Sequence, residues 1–444
     1  MRKPEQIRFD LRTNQNLSRR NIQKAYGLAD ISETSLGSGD TMREKLSHVN
    51  KRIARKLVHW FIEPFLTQQS ECNHTVTNVL EDYDRMHTIL MEENDALRRT
   101  IEQLQVEISE IHRKTGMASL FDPQGKQRII QIVASLNFGD AVGNDVRAIA
   151  RALNEAGYLT GIFTLAIDPK IKDEGIYLIN MLPELNEYDL IIYHYATADE
   201  LHDLIKEAPC KVVLRYHNVT PPVFFRGYDE YAEKVTREGL DEIANLRDYI
   251  NYGIVVSEFN KKALTTMGYQ CPIAVVPILI PFKDYEQQPD EDVVTRYSDG
   301  KTNIVFVGRI VPNKKLEDVI ACFAAYKEKY DPTARLFLVG NYQETDLYYQ
   351  YLQDVIKKCG VEDVIFTGHI VFNAILAYYR IAALFLCMSE HEGFCVPLVE
   401  AMFFETPIVA YASTAIPGTL GGSGVLVETK EPEVVAEKMH QVLT

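Results

Sequence analysis

From residue 128 onward the chain alternates short, β-branched apolar runs with stretches of helical periodicity. Three of the runs, NIVFVG (303–308), RLFLVG (335–340) and VIFTG (364–368), end in glycine about 30 residues apart. No other feature restricts the fold as much. Strands spaced this way leave room for one crossover helix each, which makes neighbouring strands parallel. The first half offers RIIQIVA (128–134), YLTGIFTLA (158–166), DLIIYHY (189–195), KVVLRYH (211–217), YGIVVS (252–257) and IAVVP (273–277). The second half adds ALFLCMS (383–389) and PIVAY (407–411) after a polar stretch from Pro281 to about Thr302. The expectation is an α/β protein with two doubly wound domains, 128–285 and 300–444, facing one another across a cleft. Ligands gather at the carboxyl ends of such strands.

Composition narrows the class. The 444 residues are 46% hydrophobic and 25% charged, ordinary for a globular chain of two or three domains. No apolar run reaches the ~18 residues of a membrane-spanning helix. The opening MRKPEQIRFDLR lacks the apolar centre of a secretory signal. The net charge of −15 is unevenly spread: residues 1–60 carry +7 and the rest −22. A nucleic-acid partner is therefore not expected. The basic start is either a solvated tail or an arm for some other anionic partner. The seven cysteines (Cys72, Cys210, Cys271, Cys322, Cys359, Cys387 and Cys395) are odd in number and never spaced as metal ligands. Reduced, mostly buried thiols in a cytoplasmic protein are expected.

The chain before residue 128 has a different texture. Residues 1–47 form a basic, polar arm with a Ser/Gly-rich stretch at 32–41, read as a flexible tether. Residues 48–116 read as helix, with Pro64 the single proline and no glycine before Gly116. Leu90, Asn94, Leu97, Ile101, Leu104, Ile108 and Ile111 follow a heptad. Leu at d, Ile at a and one Asn at a favour a parallel two-stranded coiled coil. The alternatives are a homodimer through residues 76–111 or a stripe packed on the chain's own α/β domains. In residues 49–61, Val49, Ile53, Leu57, Trp60 and Phe61 share one helical arc, opposite Lys51, Arg52, Arg55, Lys56 and His59. Such a helix lies on an anionic membrane surface or packs in a bundle with its basic face solvated.

Two segments carry the chemistry. In SEHEGFCVPLVEAM (389–402), Glu392 sits in a loop after an apolar strand, and Glu400 lies eight residues on, inside the following helix. Between them Gly393, Phe394 and Cys395 approach a helix N-terminus, which favours an anionic or polyhydroxyl ligand. In FVGRIVPNKK (306–315), Arg309 leaves a strand end and Lys314 follows across a proline-containing loop. A departing diphosphate needs such cations.

Together these motifs resemble retaining glycosyltransferases of family 4, which have the GT-B fold of two Rossmann-like domains. The resemblance spans about 128–440. It rests on Gly308-Arg309, Pro312, Lys314, Glu392-Gly393-Phe394 and Glu400. It implies that Arg309 and Lys314 bind the diphosphate of a nucleotide-sugar donor, Glu392 meets the donor sugar, and Glu400 holds the ribose. It also implies that the backbone at His369 and Ile370, in FTGHI (366–370), lies against the base. Gly139 and Gly143, in ASLNFGDAVGNDV, would let backbone approach phosphates or acceptor. His217, in LRYHNVTPP, falls where relatives carry a histidine near the donor sugar, and Ser257 where they carry a serine at the cleft; both are also ordinary structural positions.

Three residues depart from the family pattern. Cys395 and Lys315 stand where glycine is common, and Gly418 stands where relatives often have an acidic residue. Relatives also close with a long helix returning to the first domain. This sequence stops at Thr444, soon after EPEVVAEKMHQVL, so the crossover is short or the sequence truncated.

The implied reaction moves a sugar, with retention, from a GDP- or UDP-linked donor to a glycan or lipid-linked acceptor in surface polysaccharide synthesis. It needs no metal or other cofactor, because protein cations take that place. The Asp-x-Asp at Asp82–Asp84 reads as a solvated helix face. Cytoplasmic placement, peripheral at the inner membrane face, is the matching expectation. The rival readings are a scaffold protein that assembles a complex through its coiled coil, and a GT-B nucleotide-sugar epimerase.

Overall fold

A computed structural model describes residues 120–444 except Gln124 and Phe138. The basic arm, the helix at 49–61, the coiled coil at 76–111 and Asp82–Asp84 lie outside these residues. Two sheets organise the described chain, each made only of parallel strands. The first contains β1 (Arg128–Leu136), β2 (Leu159–Ile167), β3 (Ile176–Leu178), β4 (Leu190–Tyr195), β5 (Lys211–Tyr216), β6 (Tyr252–Val255) and β7 (Ile273–Val275), in the order β3-β2-β1-β4-β5-β6-β7. The second contains β8 (Asn303–Val307), β9 (Arg335–Val339), β10 (Val364–Phe366), β11 (Leu384–Cys387), β12 (Ile408–Tyr411) and β13 (Val425–Val427), in the order β10-β9-β8-β11-β12-β13. In both sheets the order reverses beside the first strand, which opens a crevice at the strand ends. This is the doubly wound pair expected from the strand spacing. β3 and β13, the three-residue runs IYL and VLV, were not among the expected strands.

Alternation along the strands buries both faces of each sheet. In the second sheet Ile304, Phe306, Leu336, Leu338, Leu384 and Leu386 join one core. Val305, Val307, Phe337, Val339, Phe385 and Cys387 join the other. In the first, Ile130, Ile132, Ile191, Tyr193, Val212 and Leu214 pack with Ile243 of a helix at Glu230–Asn245. Val133 and Leu136 face Val146 of α1 (Ala141–Glu155). Burying one such side chain contributes about 1.5–3 kcal/mol.

The polar stretch between the sheets is ordered, as a 3-10 turn at Phe282–Glu286 and a helix at Glu291–Tyr297. The helix at Pro432–Leu443 buries Val435, Ala436 and Met439 beside Val319, Ile320 and Phe323 of the helix at Leu316–Lys329. Among the described residues no helix is long and apolar enough to cross a membrane. The six described cysteines are free; Cys322, Cys387 and Cys395 are buried, and Cys359 is exposed.

Candidate active site at the facing strand ends

The glycines that end the strands have distinct duties. Gly308, after β8, has φ 152. Gly340, after β9, passes so close that a Cβ there would lie 1.8 Å from Gly308 O. Gly368, after β10, has φ 69. Turning the chain at these points frees the loops that follow to form the site.

After β8 the chain enters a 3-10 turn, Pro312–Lys314. After β11 it runs through Glu392 into α2 (Val396–Phe403). The two loops meet: Lys314 Nζ lies 2.7 Å from both Glu392 Oε1 and Glu392 Oε2. Burial disfavours the Lys314 charge, but the carboxylate more than offsets this and holds the ammonium above its usual pKa. The loop is pinned on several sides. Glu392 N–H donates to Thr414 Oγ1 (2.9 Å), and Asn313 Nδ2 donates to His391 O (2.9 Å). Lys430 donates to Glu390 (2.7 Å) and Asp318 (2.8 Å). Arg309 is exposed. It faces the loop after β1, where burial raises the Asp140 carboxyl against bonds from Gly143 N–H and Asn137 and the field of Arg309. Asp140 caps α1, and Gly139 precedes it with φ 81. At Gly143 a Cβ would be crowded, meeting Asn137 O at 3.0 Å.

His217 follows β5 and closes the opposite wall. A Cβ on Gly393 would lie 2.6 Å from His217 O and from Asn218 Cβ, so the two halves touch there through a glycine. Beside this contact Asn218 Nδ2 donates to His391 Nε2 (2.7 Å). The buried His391 ring also packs near Phe224 and Phe259. Burial lowers its pKa to about 4. His217 is likewise lowered to about 4 by burial, with Asp145 opposing and Arg215 adding. Arg215 Nε and Nη2 grip Asp145 at 2.8 and 3.1 Å. Asp145, His194, Arg215, Asn218 and His391 were absent from the sequence-derived site. For His194 and Arg215 the available signal was a polar residue inside an otherwise apolar strand, as in DLIIYHY and KVVLRYH.

Glu400 is half-buried on α2, away from Lys314's carboxylate partner. Tyr285 Oη donates to its Oε1 (3.0 Å) and Tyr379 Oη to its Oε2 (2.7 Å). Burial raises its pKa, and the phenols pull it back. Each carboxylate oxygen keeps a lone pair for a further donor. Ser257 caps the helix at Glu258–Thr266, accepting from Asn260 N–H (3.3 Å). His369 is exposed and Ile370 half-buried after β10. Phe394 O accepts from Thr419 Oγ1, and Cys395 begins α2 with φ 73.

Two buried clusters bring possible metal donors within 4.8 Å of one another: Asp145, His194 and His217, and Cys387, Glu392 and Cys395. In each, the carboxylate already faces a cation, Arg215 or Lys314.

Two parallel α/β sheets with facing strand ends make this a GT-B type fold. Residues 287–444 match the family described as Glycosyl transferases group 1, so the second half carries a domain of that group. The chain is 23% identical over 163 residues to the serotype-specific mannosyltransferase WbdA of Escherichia coli, covering 36% of this chain and 20% of that one. It therefore spans about a fifth of that relative's length. It is 22% identical over 270 residues to the O-antigen chain mannosyltransferase B of Escherichia coli, covering 58% of this chain and 67% of that one. Its fold matches the structure of sucrose-phosphate synthase from Thermosynechococcus elongatus with a TM-score of 0.57 at 19% identity, over 72% of this chain and 90% of that one.

Proposed function

We propose that the protein is a retaining, metal-independent glycosyltransferase that moves a sugar from a GDP- or UDP-linked donor to a glycan or lipid-linked acceptor. The relatives named as mannosyltransferases favour mannose as the sugar. The observation that carries the reading is the Lys314–Glu392 pair, a cation and a carboxylate 2.7 Å apart at the ends of β8 and β11. In this reading Lys314 and Arg309 neutralise the departing diphosphate, helped by the backbone amides of Gly393, Phe394 and Cys395 at the start of α2. Glu392 accepts hydroxyls of the sugar, because a carboxylate is a strong acceptor for O–H. Glu400 receives the ribose, and the backbone at His369 and Ile370 borders the base. The loop at Gly139 and Gly143 meets phosphate or acceptor, and His217 completes the sugar pocket from the first half.

Glu392→Ala and Lys314→Ala are expected to abolish sugar transfer while urea unfolding stays cooperative. A thermal-shift screen over GDP-, UDP- and ADP-sugars first identifies the donor. Full turnover in both variants would overturn the assignment. Donor turnover that is independent of any acceptor would favour an epimerase instead.

A further inference from the structure

Inside the first half lies a polar seam that the proposed transfer does not use. Toward the core built on Ile130, Ile132, Tyr193 and Leu214, strands β1, β4 and β5 are apolar. Toward α1 they present Gln131, His194 and Arg215, which are buried. His194 Nδ1 lies 3.1 Å from His217 Nε2. The ring centroids are 5.4 Å apart with planes 21° from parallel, so the rings meet edge to edge, as an N–H···N bond requires. His194 Nε2 lies 2.9 Å from the Gln131 amide.

Two neutral imidazoles joined this way have coupled tautomers, because one nitrogen must donate and the other accept. The Gln131 amide sets the direction. Its nitrogen belongs toward Val146 O (3.2 Å) and His194 Nε2 (2.9 Å) and its oxygen toward Ala150 N (3.2 Å). The reverse orientation sets acceptor against acceptor and donor against donor. With that amide donating, His194 Nε2 accepts, His194 carries its proton on Nδ1, and that proton goes to His217 Nε2. The proton of neutral His217 then sits on Nδ1, which is buried and meets no partner. A buried donor without an acceptor is unfavourable unless a ligand supplies one. Burial keeps both rings neutral; the charged groups near them are Asp145, 3.8 Å from His217 Nε2, and Arg215.

We propose that Gln131 and His194 are positioning residues that lock His217 as the Nδ1–H tautomer, so that it donates a hydrogen bond to an oxygen of the bound sugar donor. The ligand in this statement rests on the proposed function; the tautomer does not.

The protein labelled with 15N-histidine reads the tautomer directly, from long-range correlations between ring protons and nitrogens at pH 7.5, with His217→Gln assigning the signals. A protonated Nδ1 and bare Nε2 on His217 are expected; the opposite pattern overturns the relay. Gln131→Met keeps the volume and removes the amide. It should mix the two tautomers and raise the KM for the sugar donor on the order of 10-fold with a smaller change in kcat, the loss of one hydrogen bond. An unchanged KM in a folded Gln131→Met also overturns the proposal, and if that variant does not fold, the wild-type spectrum still decides. An Nδ1–H His217 in a protein that binds no sugar nucleotide would overturn the proposed function and leave the relay standing.

Discussion

Lys315 and Cys395 occupy the left-handed region of backbone space, with φ of 52 and 73. These are the two positions where resembling sequences commonly carry glycine, which enters that region freely. A side chain there costs about 1–2 kcal/mol. The penalty yields a comparison: Cys395→Gly should be more stable than Cys395→Ala by about 1 kcal/mol, since both lose the thiol but only glycine sheds the strain. Urea denaturation of the two variants measures it. The motif cation and carboxylate, Lys314 and Glu392, were legible in the sequence because charged residues beside apolar strand ends stand out. The Asn218–His391 bond joins residues from different halves of the molecule, and no spacing rule reaches that far. Gln131 and His194 were hidden for another reason. In a strand covered on both faces, one polar residue reads as noise until the neighbouring strands align it with others.

At the scale of elements, the crossover rhythm supplied every described strand except β3 and β13. What the rhythm could not supply is how close the elements come. Gly340→Ala should unfold the second half or prevent its folding, because the new methyl would lie 1.8 Å from backbone, Gly308 O. Expression with circular dichroism reads this. Gly393→Ala is milder, meeting Asn218 and the His217 carbonyl across the crevice. It should cost about 1–3 kcal/mol and reduce transfer by spreading the two halves; a fully active variant would show that they need not touch there.

For the molecule as a whole, acid is the informative stress. His217 and His391 titrate near 4 in the fold, against about 6.5 when unfolded. Unfolding therefore takes up protons below about pH 6.5. The contribution of these two histidines to stability should be full above that value, fall as pH drops toward about 4 and level off below it. Each histidine contributes about 1.4 kcal/mol per pH unit between those limits. Urea midpoints at pH 7.5 and 5.5 test this, and His391→Asn should flatten part of the slope. Protonated His391 can no longer accept from Asn218, so the same acid weakens the contact between the halves.

The all-parallel pairing has a consequence for how the chain reaches its native state. Among the described residues no strand meets its neighbour through a hairpin. Ile129 must find Leu190, and Ile304 must find Leu384, before either sheet has a centre. Closing such long loops comes before any reward from the contacts, so folding should be slow and its early species rich in exposed sheet edges. A newly made chain of this kind spends its most vulnerable time before its two central pairs have formed.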